Sequence, residues 1–179
     1  MKMQYTSISE DRIRVLIGKD GETKKKIEDK THTQILISGT DVTISGSPYY
    51  EMLAQNIIDA INLGFNPEKA LLLTKDYKDY SFEFIPLSEK RFMSIRGRII
   101  GTNRSVMNTI EKISDCYVNV GKEGVGIIGD YEDVEDVKEA IEMIINNGKF
   151  GTAYRFLENK KRQHKDDLNL KMISDREEM

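Results

Sequence analysis

The sequence has very few of the residues on which disulfides, zinc sites and many enzyme active sites depend. Its 179 residues include one cysteine, Cys116, two histidines, His32 and His164, and no tryptophan. One cysteine excludes an internal disulfide and fits a reducing compartment. Two histidines without a motif-spaced carboxylate cluster provide no ligand set for metal-assisted hydrolysis. We therefore predict no catalytic residues, no metal site and no cofactor.

Long apolar runs are also missing. The longest plain aliphatic run, "ALLL" at 70–73, is too short to span a bilayer, and the N-terminal "MKMQYTSISEDR" lacks the apolar core of a signal peptide. We expect a cytoplasmic protein with no membrane partner. The net charge is -3, so any binding to nucleic acid must come from local basic patches and not from overall charge.

What the sequence does have is an internal repeat with an offset of 83 residues, from Ile17 to Ile100. The stretch "IGKDGETKKKIEDKTHTQILI" aligns with "IGTNRSVMNTIEKISDCYVNV", and "DVTISGS" aligns with "GVGIIGD" at the same offset. The positions that are identical in both copies are Ile17, Gly18, Ile27, Glu28, Val42, Ile44, Gly46, Ile58 and Ile61. One register kept over several elements indicates two copies of one domain.

Hydrophobic periodicity and turn residues predict the same elements in both copies. The first copy has a strand at 3–8, a helix from Ser9 that breaks at Gly18, a helix at 22–30, strands at 33–38 and 41–45, and a helix from Pro48 to Gly64. The second has a strand at 81–87, a helix from Ser88 that breaks at Gly101, a helix at 105–113, strands at 116–120 and 125–129, and a helix at 131–147. The predicted domains are residues 1–64 and 80–150, with a helical linker at 65–79 and a C-terminal helix and charged tail at 151–179.

This order of strand, helix, glycine loop, helix, strand, strand and helix resembles the type I KH domain, an RNA-binding module whose GXXG loop clamps about four nucleotides. The type II arrangement does not fit, because too few residues precede the first helix to hold the elements that type II places there. We therefore predict an α+β fold of two tandem type I KH domains. Each is a three-stranded sheet packed on helices in the order β-α-α-β-β-α.

The first glycine loop is predicted to bind RNA, although a GXXG alone could be a plain turn between helices. Glycine allows close approach to a sugar–phosphate backbone, and the following helix points its positive N-terminus at the phosphates. The predicted RNA-binding residues here are Gly18, Lys19, Asp20, Gly21, Lys24 and Lys25. The predicted apolar groove, on which bases would rest, comprises Ile17, Ile27, Ile35 and Ile37 in the first copy and Ile100, Ile110 and Val118 in the second.

The second loop has arginine where the second glycine belongs, and loss of this groove is the alternative to RNA binding. Residues 90–110 contain five basic residues and no acidic one, whereas residues 10–30 contain seven basic and six acidic residues. The predicted RNA-binding residues are Arg96, Arg98, Gly101, Thr102, Asn103 and Arg104. Because basic contacts govern affinity for RNA, we expect this copy to contribute the larger share.

Two further motifs have simpler interpretations than their patterns first indicate. The glycines of "GVGIIG" at 124–129 match a dinucleotide-binding loop, but the acidic residues Asp130, Glu132 and Asp133 that follow would repel a pyrophosphate. We predict an ordinary strand before a helix whose acidic start is favourable, or alternatively a protein-binding face. The run Lys160-Lys161-Arg162 is predicted to be part of a solvated, fraying tail, with RNA contact as the alternative, and Cys116 to be a partly buried structural thiol.

The chain resembles the archaeal Dim/Pno family of ribosome-assembly proteins, the counterparts of the eukaryotic partner of Nob. The match is carried by "IGKDGETKKKIE", "GFNPEKALLL", "RGRIIG" and "AYRFLE" and spans about residues 3–160. The resemblance implies binding of single-stranded RNA near the 3′ end of small-subunit (16S) rRNA and help in pre-rRNA processing. It also implies partnership with the Nob-type endonuclease and with the alpha subunit of archaeal initiation factor two. Arg104 departs from the glycine that is usual in the family.

The sequence is compatible with three functions, two of them RNA binding and one enzymatic. The leading one is a non-catalytic RNA-binding assembly factor of the small ribosomal subunit, acting as a monomer. A general KH-type binder of mRNA or of RNA in decay keeps the module and changes the target. A nuclease is the third, and the sequence offers no motif for it.

Overall fold

The first KH-like half of the chain is built as predicted. The structure, a computed structural model, describes residues 4–75 and 80–177. The first half contains β1 (Gln4–Ser7), α1 (Glu10–Ile17), α2 (Glu22–Thr31), β2 (Gln34–Ser38), β3 (Asp41–Ser45) and α3 (Pro48–Leu63). The linker then forms the short helix α4 (Pro67–Ala70) and the 3₁₀ turn Leu71–Thr74. Asn66 caps α4, since its side-chain oxygen accepts a hydrogen bond from the Glu68 N–H over 2.9 Å.

The second half repeats this order and adds a long terminal helix. It contains β4 (Tyr80–Pro86), α5 (Glu89–Ile100), α6 (Ser105–Ser114), β5 (Tyr117–Val120), β6 (Gly124–Asp130), α7 (Tyr131–Ile145) and α8 (Phe150–Glu177). Residues 1–3 of the predicted first domain, 76–79 of the predicted linker and 178–179 of the predicted tail lie outside the described residues.

Each half has one antiparallel three-stranded sheet with the last strand in the middle. The strand orders are β1-β3-β2 and β4-β6-β5. The registers correspond between halves, because Ile35 pairs with Ile44 in the first sheet and Val118 pairs with Ile127, 83 residues on, in the second. The predicted α+β fold with two copies of the β-α-α-β-β-α order is therefore confirmed.

The two halves pack together through the second sheet, which is covered on both faces. Ile127 packs with the helices of its own half, whereas its neighbour Ile128 is fully buried in the core of the first half, which includes Ile57 and Phe65. Successive side chains of a strand point to opposite faces, so β6 joins two cores. Phe65 meets Phe82 of β4 edge to face, with ring centroids 6.4 Å apart.

The glycines of "GVGIIG" have a packing role. A Cβ at Gly126 would lie 2.3 Å from Leu63 Cδ2 and 2.8 Å from Phe65 Cε2, so the missing side chain is what admits the end of α3. A Cβ at Gly129 would lie 2.5 Å from Cys116 Sγ. The prediction that this stretch is an ordinary strand is confirmed, and the glycines allow its close packing on both faces.

The terminal helix α8 is held on the second half by apolar and ionic contacts. Ala153 and Leu157 are buried in the second core. Lys160 Nζ lies 3.1 Å from Asp136 Oδ1, and Lys161 Nζ lies 2.9 Å from Asp115 Oδ2. The prediction of a solvated, fraying tail is wrong here, because α8 continues to Glu177 and these ammonium groups pair with acidic groups of the second half.

We predict opposite effects of alanine at two glycines of the second half. Gly126→Ala should lower the free energy of unfolding by about 1–3 kcal/mol, because the added methyl overpacks the contact between the halves. Gly97→Ala should raise it by about 0.5–1 kcal/mol, since a Cβ at Gly97 meets nothing within 4 Å and alanine favours the helix. Urea denaturation measures both values, and stabilisation by both substitutions would contradict this account of the interface.

Cys116 is more deeply buried than predicted and is chemically protected. It is 1% exposed, and its N–H donates to Ser114 Oγ over 3.2 Å. Burial raises the pKa of the Cys116 thiol to about 12. Because the thiolate is the reactive form, the folded protein should hold this thiol almost entirely unreactive near neutral pH.

We therefore expect a maleimide at pH 8 to leave Cys116 unmodified in the native protein and to label it rapidly in urea. Mass spectrometry at fixed times gives both rates. Equal rates in the two conditions would mean that the thiol is accessible in the fold. Since the folded pKa lies above the unfolded one, the thiol's contribution to stability should be present below about pH 8.5 and be lost as the pH rises toward 12.

Candidate nucleic-acid interface

The loop between α1 and α2 is a tight turn that uses left-handed backbone. Helix α1 ends at Ile17, and its C-cap residue Gly18 has φ 72° and ψ −177°. Asp20 and Gly21 then have φ values of 53° and 80° before α2 begins at Glu22. Neither of these conformations is favourable for most side chains, which accounts for the glycine and the short polar residue found there.

The loop between α5 and α6 keeps the same backbone despite its changed sequence. Gly101 has φ 72°, Asn103 has φ 51° and Arg104 has φ 62°. Arg104 therefore occupies the left-handed conformation that Gly21 occupies in the first copy. A side chain in this region costs roughly 1–2 kcal/mol. The second loop therefore keeps the GXXG shape with a strained arginine in place of a glycine.

The surroundings of the two GXXG glycines explain why the second loop keeps the first glycine, as Gly101, and has Arg104 in place of the second. A Cβ at Gly18 would lie 2.2 Å from Thr23 Oγ1 and 2.8 Å from Thr23 N, and a Cβ at Gly101 would lie 2.7 Å from Val106 N. A Cβ at Gly21 would meet nothing within 4 Å. The first glycine is thus required by steric contact with the next helix, and the second only by backbone conformation.

This difference predicts unequal effects of two alanine substitutions in the first loop. Gly18→Ala should destabilise the protein by more than about 2 kcal/mol, because the methyl collides with the backbone of α2 in addition to the strain at positive φ. Gly21→Ala should cost about 1 kcal/mol, from strain alone. Chemical denaturation of both variants measures the difference, and equal losses would show that the clash at Gly18 is relieved by a small shift.

Both helices that follow the loops begin without a side-chain cap. The N-cap positions are Gly21 for α2 and Arg104 for α6, and neither makes a capping hydrogen bond. The first N–H groups of a helix have no partner within the helix, and the helix dipole places positive charge at the same point. The Glu22 and Ser105 N–H groups already donate to Lys19 O and Thr102 O, and an anion such as a phosphate in either loop would satisfy the next donors of the first turn.

A cavity of about 760 Å³ lies beside the first loop, along α2 and the edge strand β2. Its lining includes Lys24, Glu28 and Asp29 from α2, His32 directly after α2, and Leu36 from β2. The Leu36 side chain is 69% exposed, an unusual fraction for leucine. The arrangement provides a wall of mixed charge and an apolar side chain on which a base could rest.

Glu28 and Glu111 connect helix and edge strand in the two copies, a role that the sequence analysis did not assign. Glu28 Oε1 accepts the Ile35 N–H over 2.7 Å, and Glu111 Oε1 accepts the Val118 N–H over 2.8 Å. Each carboxylate satisfies an outward N–H of an edge strand and fixes the width of the groove at that point. Glu28 and Glu111 are identical at equivalent positions of the two copies, and this was the signal in the sequence that could have indicated their role.

The predicted groove residues divide into surface and core. Ile17, Ile37 and Ile100 are half-buried at the surface. Ile27, Ile35, Ile110 and Val118 are between 0% and 3% exposed. The latter four side chains lie in the cores, so the expectation that bases rest directly on them is corrected: they support the groove from beneath.

The basic residues are less available than their number indicated. Lys24 Nζ lies 3.2 Å from Glu28 Oε1. Arg98 does not face the second loop, because its Nη2 donates to Gly148 O over 2.8 Å and its guanidinium lies 5.1 Å from the ring centroid of Phe150. Arg98 anchors the turn between α7 and α8, which corrects its predicted RNA-binding role.

Other predicted cations remain accessible around the loops. Lys19 and Lys25 are exposed in the first copy and Arg96 in the second. The Arg104 side chain is 51% exposed, and its Nη2 is 3.9 Å from Glu111 Oε1, a long and weak ion pair. Thr102 and Asn103 are also exposed at the second loop.

Within residues 4–75 and 80–177, no group of three or more His, Cys, Asp or Glu side chains could hold a metal ion. No helix in that part of the chain has the length and apolar character needed to cross a membrane.

Two such domains, each with a glycine-hinged loop between helices beside an edge strand, define an RNA-binding protein of the type I KH class. The model of the second KH domain of PNO1, described as a eukaryotic-type KH domain (KH-domain type I), matches residues 7–78 and again 81–162. The chain belongs to the PNO1/Dim2 family of KH-domain RNA-binding proteins, a membership that implies ribosome biogenesis. The resemblance noted from the sequence is thereby confirmed.

Related proteins support this assignment over nearly the full chain. KH domain-containing protein MJ0443 of Methanocaldococcus jannaschii is 35% identical over 91% of this chain and 76% of its own. The crystal structure of APE0754 from Aeropyrum pernix, a protein of unknown function, is 34% identical with a TM-score of 0.88 and covers 97% of each chain.

Dim2p from Pyrococcus horikoshii is 36% identical in two crystal structures. In its own structure the TM-score is 0.80, with 89% of this chain and 99% of that chain covered. The second structure is a complex of a/eIF2alpha, aDim2p and rRNA, which matches with a TM-score of 0.81 over 90% of this chain and 95% of that chain.

Proposed function

We propose that this protein is a non-catalytic assembly factor of the small ribosomal subunit that binds single-stranded RNA near the 3′ end of 16S rRNA and assists pre-rRNA processing. The observation that carries the proposal is the pair of loops with matching backbone, each placed before an uncapped helix N-terminus. The Pyrococcus complex that contains rRNA supports the choice of rRNA as target.

Binding would use the backbone of the loop and the N-terminus of the next helix. Gly18 and Gly101 bring the main chain close to the sugar–phosphate strand, and N–H groups of the first turns of α2 and α6, after Glu22 and Ser105, donate to its phosphates. Arg104 adds a forked donor at the second loop, where the first copy has only a glycine. Bases would lie toward the edge strands, beside exposed groups such as Leu36.

Two protein partners belong to the proposal. The alpha subunit of archaeal initiation factor two is supported by its presence in the Pyrococcus complex. A Nob-type endonuclease is inferred from the family resemblance, and it would supply the cleavage that this chain is proposed not to catalyse. We propose that the protein itself is a monomer acting in the cytoplasm.

We predict that aspartate at the matched loop positions weakens RNA binding. Gly21→Asp and Arg104→Asp introduce the same residue, one that tolerates left-handed backbone, at equivalent places in the two loops. Each should lower affinity for a short single-stranded 16S 3′-end oligonucleotide by at least about tenfold if its loop binds, since a charged contact contributes about 1.5 kcal/mol or more. Arg104→Asp should have the larger effect, because it also removes a cation.

Fluorescence anisotropy at fixed salt measures these affinities, with Lys165→Asp on α8 as the control for charge and circular dichroism as the control for folding. Arg104→Asp should also lower the slope of log affinity against log salt by roughly one to two units. Unchanged affinity in both loop variants would reject the grooves as the RNA site.

The competing functions are separated by two further measurements. RNA recovered with the protein from cell extract is sequenced, and we expect it to be enriched in small-subunit rRNA. Even enrichment over mRNAs would favour a general RNA binder. Pure protein incubated with labelled rRNA and Mg²⁺ should leave the RNA intact. Specific cleavage in that assay would favour the nuclease.

A further inference from the structure

Three aromatic rings form a ring cluster, His32, Tyr49 and Tyr50, where α2 ends and α3 begins. The ring centroids of His32 and Tyr50 lie 5.2 Å apart, and those of Tyr49 and Tyr50 lie 5.3 Å apart, both in edge-to-face contact. Tyr49 is 64% exposed, and His32 is exposed as well. Met52, beside the cluster on α3, is 53% exposed. Scattered exposed apolar groups need no explanation, but a contiguous cluster of them indicates a binding surface.

The rings are held on two fixed helix ends. His32 follows α2 in the left-handed conformation, with φ 50°, and its N–H donates to Glu28 O. Both tyrosines lie in the first turn of α3, whose start is fixed because Glu51 Oε1 accepts the Gly46 N–H over 2.8 Å. Glu51 is only 8% exposed. The rings are therefore presented in a set position, with the Glu51 carboxylate buried beneath the surface.

The second half has acidic residues at the three equivalent positions. The offset of 83 residues places Asp115, Glu132 and Asp133 where the first half has the ring cluster. These carboxylates face α8, since Lys161 Nζ lies 2.9 Å from Asp115 Oδ2 and 3.4 Å from Asp133 Oδ2. A surface that is acidic and covered in one copy is thus aromatic and open in the other. The KH fold itself does not require the rings.

The ring cluster adjoins the cavity that runs along α2 and β2. His32 belongs both to the cavity lining and to the cluster, and the lining continues to Ser45 at the end of β3, close to the start of α3 at Pro48. The first glycine loop precedes α2 and the ring cluster follows it, so the cavity leads from one to the other. An RNA strand with a base beside Leu36 can therefore continue onto the rings.

The charges of this cavity favour contacts with bases over contacts with phosphates. Lys24 Nζ lies 3.2 Å from Glu28 Oε1, so the lysine of the lining is already paired with a carboxylate. Asp29 adds a second carboxylate to the lining. Stacking on an aromatic face needs no positive charge and accepts any base. Stacking is therefore the interaction that the end of α2 can offer to RNA.

We propose that His32, Tyr49 and Tyr50 form a stacking platform for one or two bases of the single-stranded RNA that passes along the first cavity and beyond the end of α2. This inference rests on the proposed function. The second half has no such platform, because its carboxylates at the same positions are occupied by α8. The two halves then bind RNA differently: the first adds stacking to its loop contacts, and the second adds the cation Arg104.

The test removes one ring and compares it with a matched tyrosine elsewhere. Tyr49→Ala removes the most exposed ring of the platform, and Tyr49→Phe keeps the ring without its hydroxyl. Tyr131→Ala removes a tyrosine that is 58% exposed at the start of α7 and controls for the loss of an exposed tyrosine as such. Each is made in the full chain on a parent that carries Arg104→Asp, so that RNA binding reports mainly on the first half.

The parent and the three variants are titrated by fluorescence at several salt concentrations, with the wild type as reference and circular dichroism as the control for folding. The RNA is a single-stranded segment of the 16S 3′ end that is longer than the about four nucleotides one KH groove clamps. The base analogue 2-aminopurine replaces one base at a time along it. Its fluorescence is quenched when it stacks on another aromatic ring, so it reports where stacking occurs.

We expect Tyr49→Ala to lower the affinity by about five- to tenfold, since stacking of one base on an aromatic ring contributes on this scale. The slope of log affinity against log salt should stay unchanged, because the tyrosine neutralises no phosphate. Quenching at one or two positions of the RNA should be present in the parent and be lost in Tyr49→Ala. Tyr49→Phe and Tyr131→Ala should both behave as the parent does.

Equal affinity and equal quenching in Tyr49→Ala and the parent would overturn the platform, as would an equal loss in Tyr131→Ala. If the wild type binds RNA and the parent does not, the first half holds no RNA, so the platform is rejected and the proposed function stands. If the wild type does not bind, both are rejected. Unchanged RNA binding by Tyr49→Ala, with loss of binding to the alpha subunit of archaeal initiation factor two, would make the ring cluster a protein-docking surface instead.

Discussion

The packing of the first half against the outer face of the second sheet is the constraint on which the rest of this molecule depends. Leu63 and Phe65 reach β6 because Gly126 has no side chain, and Ile128 completes the core of the other half. An apolar strand with two buried faces gains stabilisation from both layers at about 25 cal/mol per Å² of buried apolar surface. The two glycine loops and the linker are thereby held in one arrangement.

The loops illustrate how the same backbone can survive a change of chemistry. Contact with α6 requires Gly101, whereas Gly21, the equivalent of Arg104 in the first loop, has open space and requires only a left-handed conformation. Arg104 therefore carries backbone strain, and it places a cation beside the N-terminus of α6. The basic residues nearby serve two purposes, since Arg98 holds the α7–α8 turn while Arg96 stays exposed.

Much of the fold could be predicted because the repeat constrained every element twice. The strand at 41–45 and the starts of α2, α6 and α7 lie where the periodicity placed them. The candidate site was predicted less well. Ile27 and Ile35 follow the pattern of an apolar groove, yet periodicity does not distinguish a side chain on the surface of a groove from one just beneath it. Charge counting likewise could not show that Arg98, Lys160 and Lys161 bind groups of the protein itself.

By itself the sequence determined the element order, the two glycine turns and the KH class. Hydrophobic periodicity and turn residues are local patterns, and the 83-residue repeat is found by comparing the sequence with itself. Only the tertiary structure decided how the halves face one another, why glycines stand at 124, 126 and 129 of β6, and which cations are not bound by groups of the protein itself. Those outcomes depend on contacts between residues such as Leu63 and Gly126, or Lys161 and Asp115, that are far apart in the chain. No local pattern encodes which of the distant surfaces will bury the other.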